Sequence, residues 1–289
     1  MRKSTTKWAW LFLTPQLVGL IIFSLIPVAI AIGLSFMSWD GFGARTFVGI
    51  QNYINQFANP DFWTATYNTL LYTLFTVPIG LSLALVLAVV LNKRTGKNVY
   101  RLFFFMPVVT SSVSVSVMWM WILNGDIGIL NQVLGMIGIQ GPNWLTDTRI
   151  VMLSIAMLSI WWQLGYNMVI FLAGIQNISK SYYEAAEMDG ASKLQQFFKI
   201  TLPMLSPTTF FLSIMAIISS FQVFDQAFVL TRGGPGKASY TLVYHIYQQA
   251  FIDFRFGSSA AGAVILFVAI LVLTLIQFYA QKRWVHYEE

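Results

Sequence analysis

GSSAAGAVILFVAILVLTLIQFYAQ, residues Gly257 to Gln281, carries no charged side chain and no strand-like alternation of apolar and polar positions. About 20 apolar residues in a helix cross roughly 30 Å of hydrocarbon, so this run is long enough to span a bilayer. Five further runs read the same way: Trp8 to Met37, Thr66 to Leu91, Leu102 to Leu123, Ile150 to Gln176 and Pro207 to Leu230. In lipid every backbone polar group must be satisfied internally. Without the short alternating segments of a barrel, that requirement predicts helices. The expected fold is therefore an all-α, polytopic membrane protein with six transmembrane helices.

Composition agrees. Hydrophobic residues make up 57% of the chain, charged residues 10%, and the mean hydropathy is +0.67, too much apolar surface for one soluble core. The net charge of +6 would suit a nucleic-acid partner if it were clustered on one face, but it follows the loops instead. With the N-terminus inside, Arg2, Lys3, Lys7, Lys93, Arg94, Lys97, Arg101, Lys180, Lys193, Lys199, Lys282 and Arg283 are cytoplasmic, twelve of the 17 Lys and Arg. Arg45, Arg149, Arg232, Lys237 and Arg255 lie on the other side. This positive-inside asymmetry predicts cytoplasmic N- and C-termini in a multi-pass membrane protein, with the lipid bilayer as partner and no nucleic acid. The first run is about twice the length of a signal core and no small-residue cleavage site closes it, so it is expected to be retained. The chain has no cysteine, which excludes disulfides and thiolate metal sites.

Residues 1–289 read as a single transmembrane domain, with external loops at 38–65 and 124–149. The first is expected to lie as an ordered cap on the bilayer surface, and the second to contain a short amphipathic helix. Pro15 and Pro27 are expected to kink the first span. A basic turn from Asn92 to Arg101 separates the second and third spans.

The polar interruption at 181–203 differs from the other loops. Ser181-Tyr182-Tyr183-Glu184 matches a capping box and predicts a helix from Tyr182, closed by Gly190 in the left-handed conformation. Ser192-Lys193-Leu194-Gln195 is a second capping box, opening a helix that should stop before Pro203. Asp189 and Lys193 flank the turn, and Tyr182, Tyr183, Met188 and Leu194 supply apolar surface that a linker does not need. Two short helices at an angle make a knob that calls for a partner.

Glu184-Ala185-Ala186, then Gly190, then Ile200, Leu202 and Pro203 after a spacer of nine resemble the EAA loop of the membrane permease subunits of bacterial ATP-binding-cassette (ABC) importers. That resemblance implies a type I ABC importer permease fold. It also implies that Glu184, Ala185, Ala186, Asp189, Gly190, Ile200, Leu202 and Pro203 couple the chain to a cytoplasmic ATPase. Glu184 has two candidate jobs, helix cap and salt bridge to the ATPase. Phe47-Val48-Gly49-Ile50-Gln51-Asn52-Tyr53, Asn68-Thr69, and Phe224-Asp225 with Leu230-Thr231-Arg232-Gly233-Gly234-Pro235 resemble the carbohydrate branch, of the maltose and glycerol-phosphate type, and the first of its two permeases. The chain departs from the maltose protein in lacking extra N-terminal helices and a large external domain. The implied partners are a second homologous permease, two ATPase subunits that use ATP and Mg, an extracytoplasmic solute-binding protein and a sugar, with no cofactor bound by this chain.

The missing chemistry agrees with this division of labour. No G-x-x-x-x-G-K-[ST] phosphate loop exists: Gly96-Lys97 is followed by Asn98 and Gly236-Lys237 by Ala238. His245 and His286 are the two histidines and neither sits near an acidic pair, so no metal or catalytic residue is expected. The resemblance places the sugar between the fourth and fifth spans, near Gln163, Leu164, Gly165, Asn167, Ser219, Ser220, Gln222 and Val223. Amides and hydroxyls there can pair with sugar hydroxyls, and the charge-free lining suits a neutral solute. Trp161, Trp162, Tyr166 and Phe221 offer ring faces nearby.

Asp225 is the acidic residue inside a predicted span. Counted from Pro207 along one continuous helix it lies about 27 Å up, near the outer surface. It is expected to order the Thr231–Pro235 turn, with Arg232 and Lys237 as possible ion-pair partners, or, with Gly233, Gly234 and Pro235, to act as outer gate or binding-protein contact. An ion-gradient-driven secondary carrier is the alternative, but it would want intramembrane ionisable relays that the sequence lacks.

Overall fold

The computed structural model describes residues 2–92 and 97–285; Lys93, Arg94, Gly96 and His286 lie outside the described residues. α1 (Arg2–Leu20) passes through a π turn at Ile21–Leu25 into α2 (Ile26–Ser35). A short antiparallel pair follows, β1 (Met37–Ser38) with β2 (Thr46–Phe47). Then come α3 (Gln51–Ala58), α4 (Pro60–Asn92), α5 (Lys97–Val109), α6 (Ser112–Ile122), α7 (Ile129–Met136) and α8 (Val151–Asn177). The loop helices are α9 (Lys180–Met188), α10 (Lys193–Gln196) and α11 (Leu202–Met204). The chain continues through α12 (Ser206–Phe221), α13 (Asp225–Thr231), α14 (Leu242–Tyr247) and α15 (Phe256–Gln281).

Among the described residues four helices are long and apolar enough to cross a membrane: Trp10–Ser35, Pro60–Asn92, Val151–Asn177 and Phe256–Gln281. Two bent pairs bring the number to six. Val99–Val109 and Ser112–Ile122 meet at 98°, and Lys193–Met204 and Ser206–Phe221 at 63°. The six expected runs are therefore all helical, but the third is broken at Thr110–Ser111. The fifth ends at Phe221 rather than Leu230. The loop expected at 38–65 is shorter, because α4 already begins at Pro60, and the short helix expected within 124–149 is α7.

Two prolines are accommodated by the same device. Pro27 and Pro203 each sit two residues after a π turn, Ile21–Leu25 and Phe197–Thr201. In both turns the closing N–H reaches five residues back, Ile26 to the Ile21 carbonyl and Leu202 to the Phe197 carbonyl. The widened turn makes room for a ring that would otherwise collide with the carbonyl four residues earlier. Pro203 consequently does not stop its helix, which runs on to Met204.

The chain packs as two compact units: the stretch up to Phe62 with His245–Val268, and Trp63–Tyr244 with the stretch from Ala269. In the second, α8 is the central helix, half of its apolar window being buried, and it packs against α5, α6, α12 and α13. Glycines bring it close to its neighbours, as membrane helices require in the absence of a hydrophobic drive between them. A Cβ on Gly165 would collide with the Phe104 carbonyl of α5, and one on Gly174 would stand 2.7 Å from Thr208 Oγ1 of α12. One buried cluster, with Leu81, Ala84 and Ala88 of α4, Met168, Phe171 and Leu172 of α8, and Leu205, lies at the α9–α11 end; Ile200 and Tyr183 pack on it. A second, with Tyr72, Val115, Ile155, Leu158, Val223 and Ala227, lies at the other.

Candidate functional site

The α9–α11 segment is built from its own capping groups. The first helix starts two residues earlier than the Ser181 capping box predicts. Ser179 is the N-cap, its hydroxyl accepting from the Ser181 N–H. In that frame Ile178 precedes the cap and Tyr183 is the fourth helical residue, and both belong to one apolar cluster, the arrangement of a hydrophobic staple. A cap at Ser181 would pair Lys180 with Ala185 and form no staple.

Gly190 closes the helix as expected, with φ +76°. The Ala191 N–H reaches the Ala186 carbonyl at 2.8 Å and the Gly190 N–H the Glu187 carbonyl at 3.0 Å, the two bonds of a Schellman motif. At Ser192 the capping box is complete: Ser192 N–H donates to Gln195 Oε1 at 2.7 Å and Gln195 N–H to Ser192 Oγ at 3.3 Å. An ion pair between Lys193 and Glu187 staples the two helices across the turn.

Glu184 is exposed and bonds no other described residue, which removes the helix-cap job. Ala185, Asp189 and Gly190 are exposed beside it and Ala186 is half-buried. The large apolar side chains also face outward, Met188 89% and Leu194 68% exposed. Ile200, Leu202 and Pro203 are half-buried at the root of the knob, where Tyr183 Oη and Thr201 Oγ1 share a hydrogen bond of 2.9 Å.

The expected substrate residues divide. Gln163, Ser219, Gln222 and Val223 line a cavity of about 220 Å³ together with Tyr72, Ser112, Trp162, Phe224, Asp225 and Gln226. Gln163, Asn167 and Ser220 line a narrower neighbour of about 30 Å³ with Tyr72, Thr76 and Ser159. Leu164 and Gly165 are not on either wall. Leu164 packs on the apolar cluster and Gly165 abuts α5, because the cavity side of α8 repeats every three to four residues and these two fall between.

The broken helices meet here. α12 stops at Phe221, and Asp225 opens a new helix rather than lying 27 Å along the old one. It accepts a hydrogen bond from the Ser112 hydroxyl, which stands in the first turn of α6 just past the other break. The lining is therefore not charge-free: it holds one carboxylate. Trp162 Nε1 donates to the Thr110 carbonyl at 3.3 Å, tying α8 to the same joint. Sequence reasoning missed Tyr72, Thr76, Ser112 and Ser159. Tyr72 and Thr76 are polar residues four apart on one face of an apolar run, which was the available signal.

The Thr231–Pro235 turn is ordered by other groups than Asp225. Ser239 Oγ donates to the Gly234 carbonyl at 2.7 Å and shares a bond of 2.6 Å with Thr231 Oγ1. Asn68 of α4 donates to the carbonyls of Lys237 at 2.8 Å and Tyr240 at 3.0 Å. Gly233, with φ +79°, lies so close to Tyr240 and Tyr244 that a Cβ would stand 3.1 Å from both rings. Gly234 and Pro235 line a cavity of about 550 Å³ facing Asn124, Asp126 and Asn143 of the loop after α6.

A family model described as the binding-protein-dependent transport system inner membrane component matches residues 77–286. The chain belongs to this family. Among similar proteins, the sn-glycerol-3-phosphate transport system permease protein UgpA of Agrobacterium fabrum is 35% identical over 281 residues, covering 96% of each chain. The arabinooligosaccharides transport system permease protein AraP of Bacillus subtilis is 34% identical over 273 residues, covering 92% of this chain and 86% of its own. The fold matches the crystal structure of a bacterial ABC transporter involved in the import of the acidic polysaccharide alginate. The TM-score is 0.85 with 23% identity, and 98% of each chain is covered. The chain is thus a non-catalytic, multi-pass permease subunit of an ABC importer, with the type I permease fold. This membership displaces the secondary-carrier alternative.

Proposed function

We propose that this permease imports a sugar of di- or oligosaccharide size by ATP-driven alternating access, with both termini and the α9–α11 knob in the cytoplasm. Its partners are a second homologous permease, two ATPase subunits that bind ATP and Mg, and an extracytoplasmic solute-binding protein. The observation that carries the reading is the knob itself: every cap within it is satisfied, while Met188, Leu194 and the unpaired Glu184 point outward. A chain without a phosphate loop needs such a handle to be driven by one that has it.

The knob is continuous with α11, which meets α12 at the 63° bend. α12 is about 24 Å long at 1.5 Å per residue and ends at Ser219, Ser220 and the Gln222 break, on the cavity wall. Closure of the ATPases would push the knob, tilt α12 and displace the Asp225–Ser112 joint, changing the side to which the cavity opens. The 220 Å³ cavity is smaller than the roughly 300–1,000 Å³ of ligand sites, as fits a half-site that the second permease completes. Its walls offer amides, hydroxyls and one carboxylate as partners for sugar hydroxyls, and no Lys, Arg or His that would pair with a phosphate. This favours an uncharged sugar over glycerol phosphate. Binding-protein-stimulated ATP hydrolysis by the reconstituted complex, measured over a panel of neutral oligosaccharides and glycerol phosphate, tests the assignment. Stimulation by a neutral sugar is expected, and stimulation by glycerol phosphate alone would refute it.

A further inference from the structure

α3 is amphipathic in the inverted sense. Its polar residues face the protein, Asn52 being 7% and Gln56 1% exposed, while Ile50, Ile54 and Phe57 on the opposite side are about half exposed or more. At 100° per residue, Ile50, Ile54 and Phe57 share one arc, and Asn52 and Gln56 lie across the helix axis from it. No residue of α3 is charged. Gln51 and Asn55, bonded to each other at 2.9 Å, occupy the flank between the two arcs.

The inward amides clasp the ends of two spans. Asn52 Nδ2 donates to the carbonyls of Ser35 at 2.9 Å and Met37 at 2.8 Å, capping the end of α2, and the Ser35 and Tyr53 hydroxyls share a bond of 2.6 Å. Gln56 Nε2 donates to Gln249 Oε1 at 2.5 Å and to the Ser258 carbonyl at 2.7 Å, and Gln56 Oε1 lies 3.0 Å from His245 Nε2. Ser258 stands in the first turn of α15, and the neighbouring Gly257 is pressed against the Met37 carbonyl. Each amide is thus satisfied at the rim where the first span ends and the last begins, which fixes the level of α3 at one edge of the hydrocarbon. The apolar window of the first span is likewise unburied among the described residues.

We propose that α3 is an interfacial clasp: its polar face locks the outer ends of the first and last spans together, and its Ile50–Ile54–Phe57 face is seated in the acyl region of the outer leaflet. An exposed apolar arc without charges, held at that level by bonds to span termini, fits lipid chains in the manner of a helix lying in the interface. In water the same arc would leave three large apolar side chains, each about half exposed or more, side by side.

The cysteine-free chain allows a direct test in the reconstituted complex in phospholipid bilayers. Nitroxide labels at Ile54→Cys and Ile50→Cys are expected to collide more with oxygen, which concentrates in lipid, than with a water-soluble nickel chelate. A label at Asn55→Cys, one residue round the helix, is expected to show the inverse ratio. In Asn52→Ala and Gln56→Leu backgrounds the Ile54→Cys label should become more mobile as the clasp is released. Equal nickel accessibility at positions 54 and 55, or a position 54 label shielded from both reagents by protein, would overturn the proposal.

Discussion

The α9–α11 knob and the Thr231–Leu242 turn stand at opposite ends of the same unit and are built on opposite plans. The knob satisfies its polar groups within itself and turns its large apolar side chains outward. The turn is held by Asn68 and Thr69 of α4 as well as by its own Ser239, and Phe224, Phe228, Tyr240 and Tyr244 cluster beside it, the two phenylalanines stacked and the two tyrosines edge to face. Thr69 Oγ1 accepts the Leu242 N–H at 3.0 Å, so the turn is bolted to α4. The knob, proposed as the handle for another subunit, keeps its shape largely from its own caps, whereas the turn, proposed as an outer gate, takes part of its shape from α4. Substitutions in the two regions should therefore fail differently, the turn in stability and the knob in coupling.

The largest loss of stability is expected from Asn68→Ala, which leaves the buried carbonyl of Tyr240 and the partly buried one of Lys237 without that donor and costs about 2 kcal/mol. Thermal unfolding in detergent should fall by several degrees, with uptake falling only as folded protein is lost. Met188→Asp should do the reverse: unchanged melting, since the side chain touches solvent, and uptake lower by about tenfold if Met188 anchors the ATPase contact. Ser192→Ala removes one half of the capping box and costs about 1 kcal/mol locally, visible as faster amide exchange in α10 without a change in global melting. The smallest effect belongs to Asp225→Asn. The amide oxygen still accepts from Ser112, and only the charge at the start of α13 is lost, about 0.5 kcal/mol. A large loss of melting temperature in Met188→Asp would erase the contrast between the two regions.

Much of this was legible in the sequence. The six long apolar runs marked the spans, the Ser192 box was read correctly, and Gly190 in the left-handed region followed from its place closing the first capped helix. What escaped was tertiary. Ser179 and Ser181 are equivalent as local caps, and the choice falls to Ile178 and Tyr183 packing on a cluster drawn from α4 and α8. Pro203 reads as a stop because the π turn that absorbs it has no local sequence mark. The break at Thr110–Ser111 has no glycine to announce it, and the break at Gln222 hides inside an apolar run, so Asp225 was placed too far along an imagined straight helix. Its partner Ser112, 113 positions away in the chain, could not be found by spacing.

The central claim is that the knob transmits ATPase closure to the cavity. Glu184→Lys reverses an exposed charge that has no partner within the described chain, and Gly190→Pro is incompatible with φ +76° and with the N–H bond to Glu187. Sugar uptake and binding-protein-stimulated ATP hydrolysis, measured together in the reconstituted transporter carrying each variant, test that claim most directly. Normally inserted protein with uptake lost and no longer tied to hydrolysis is the expected result; unimpaired uptake by both variants would contradict it.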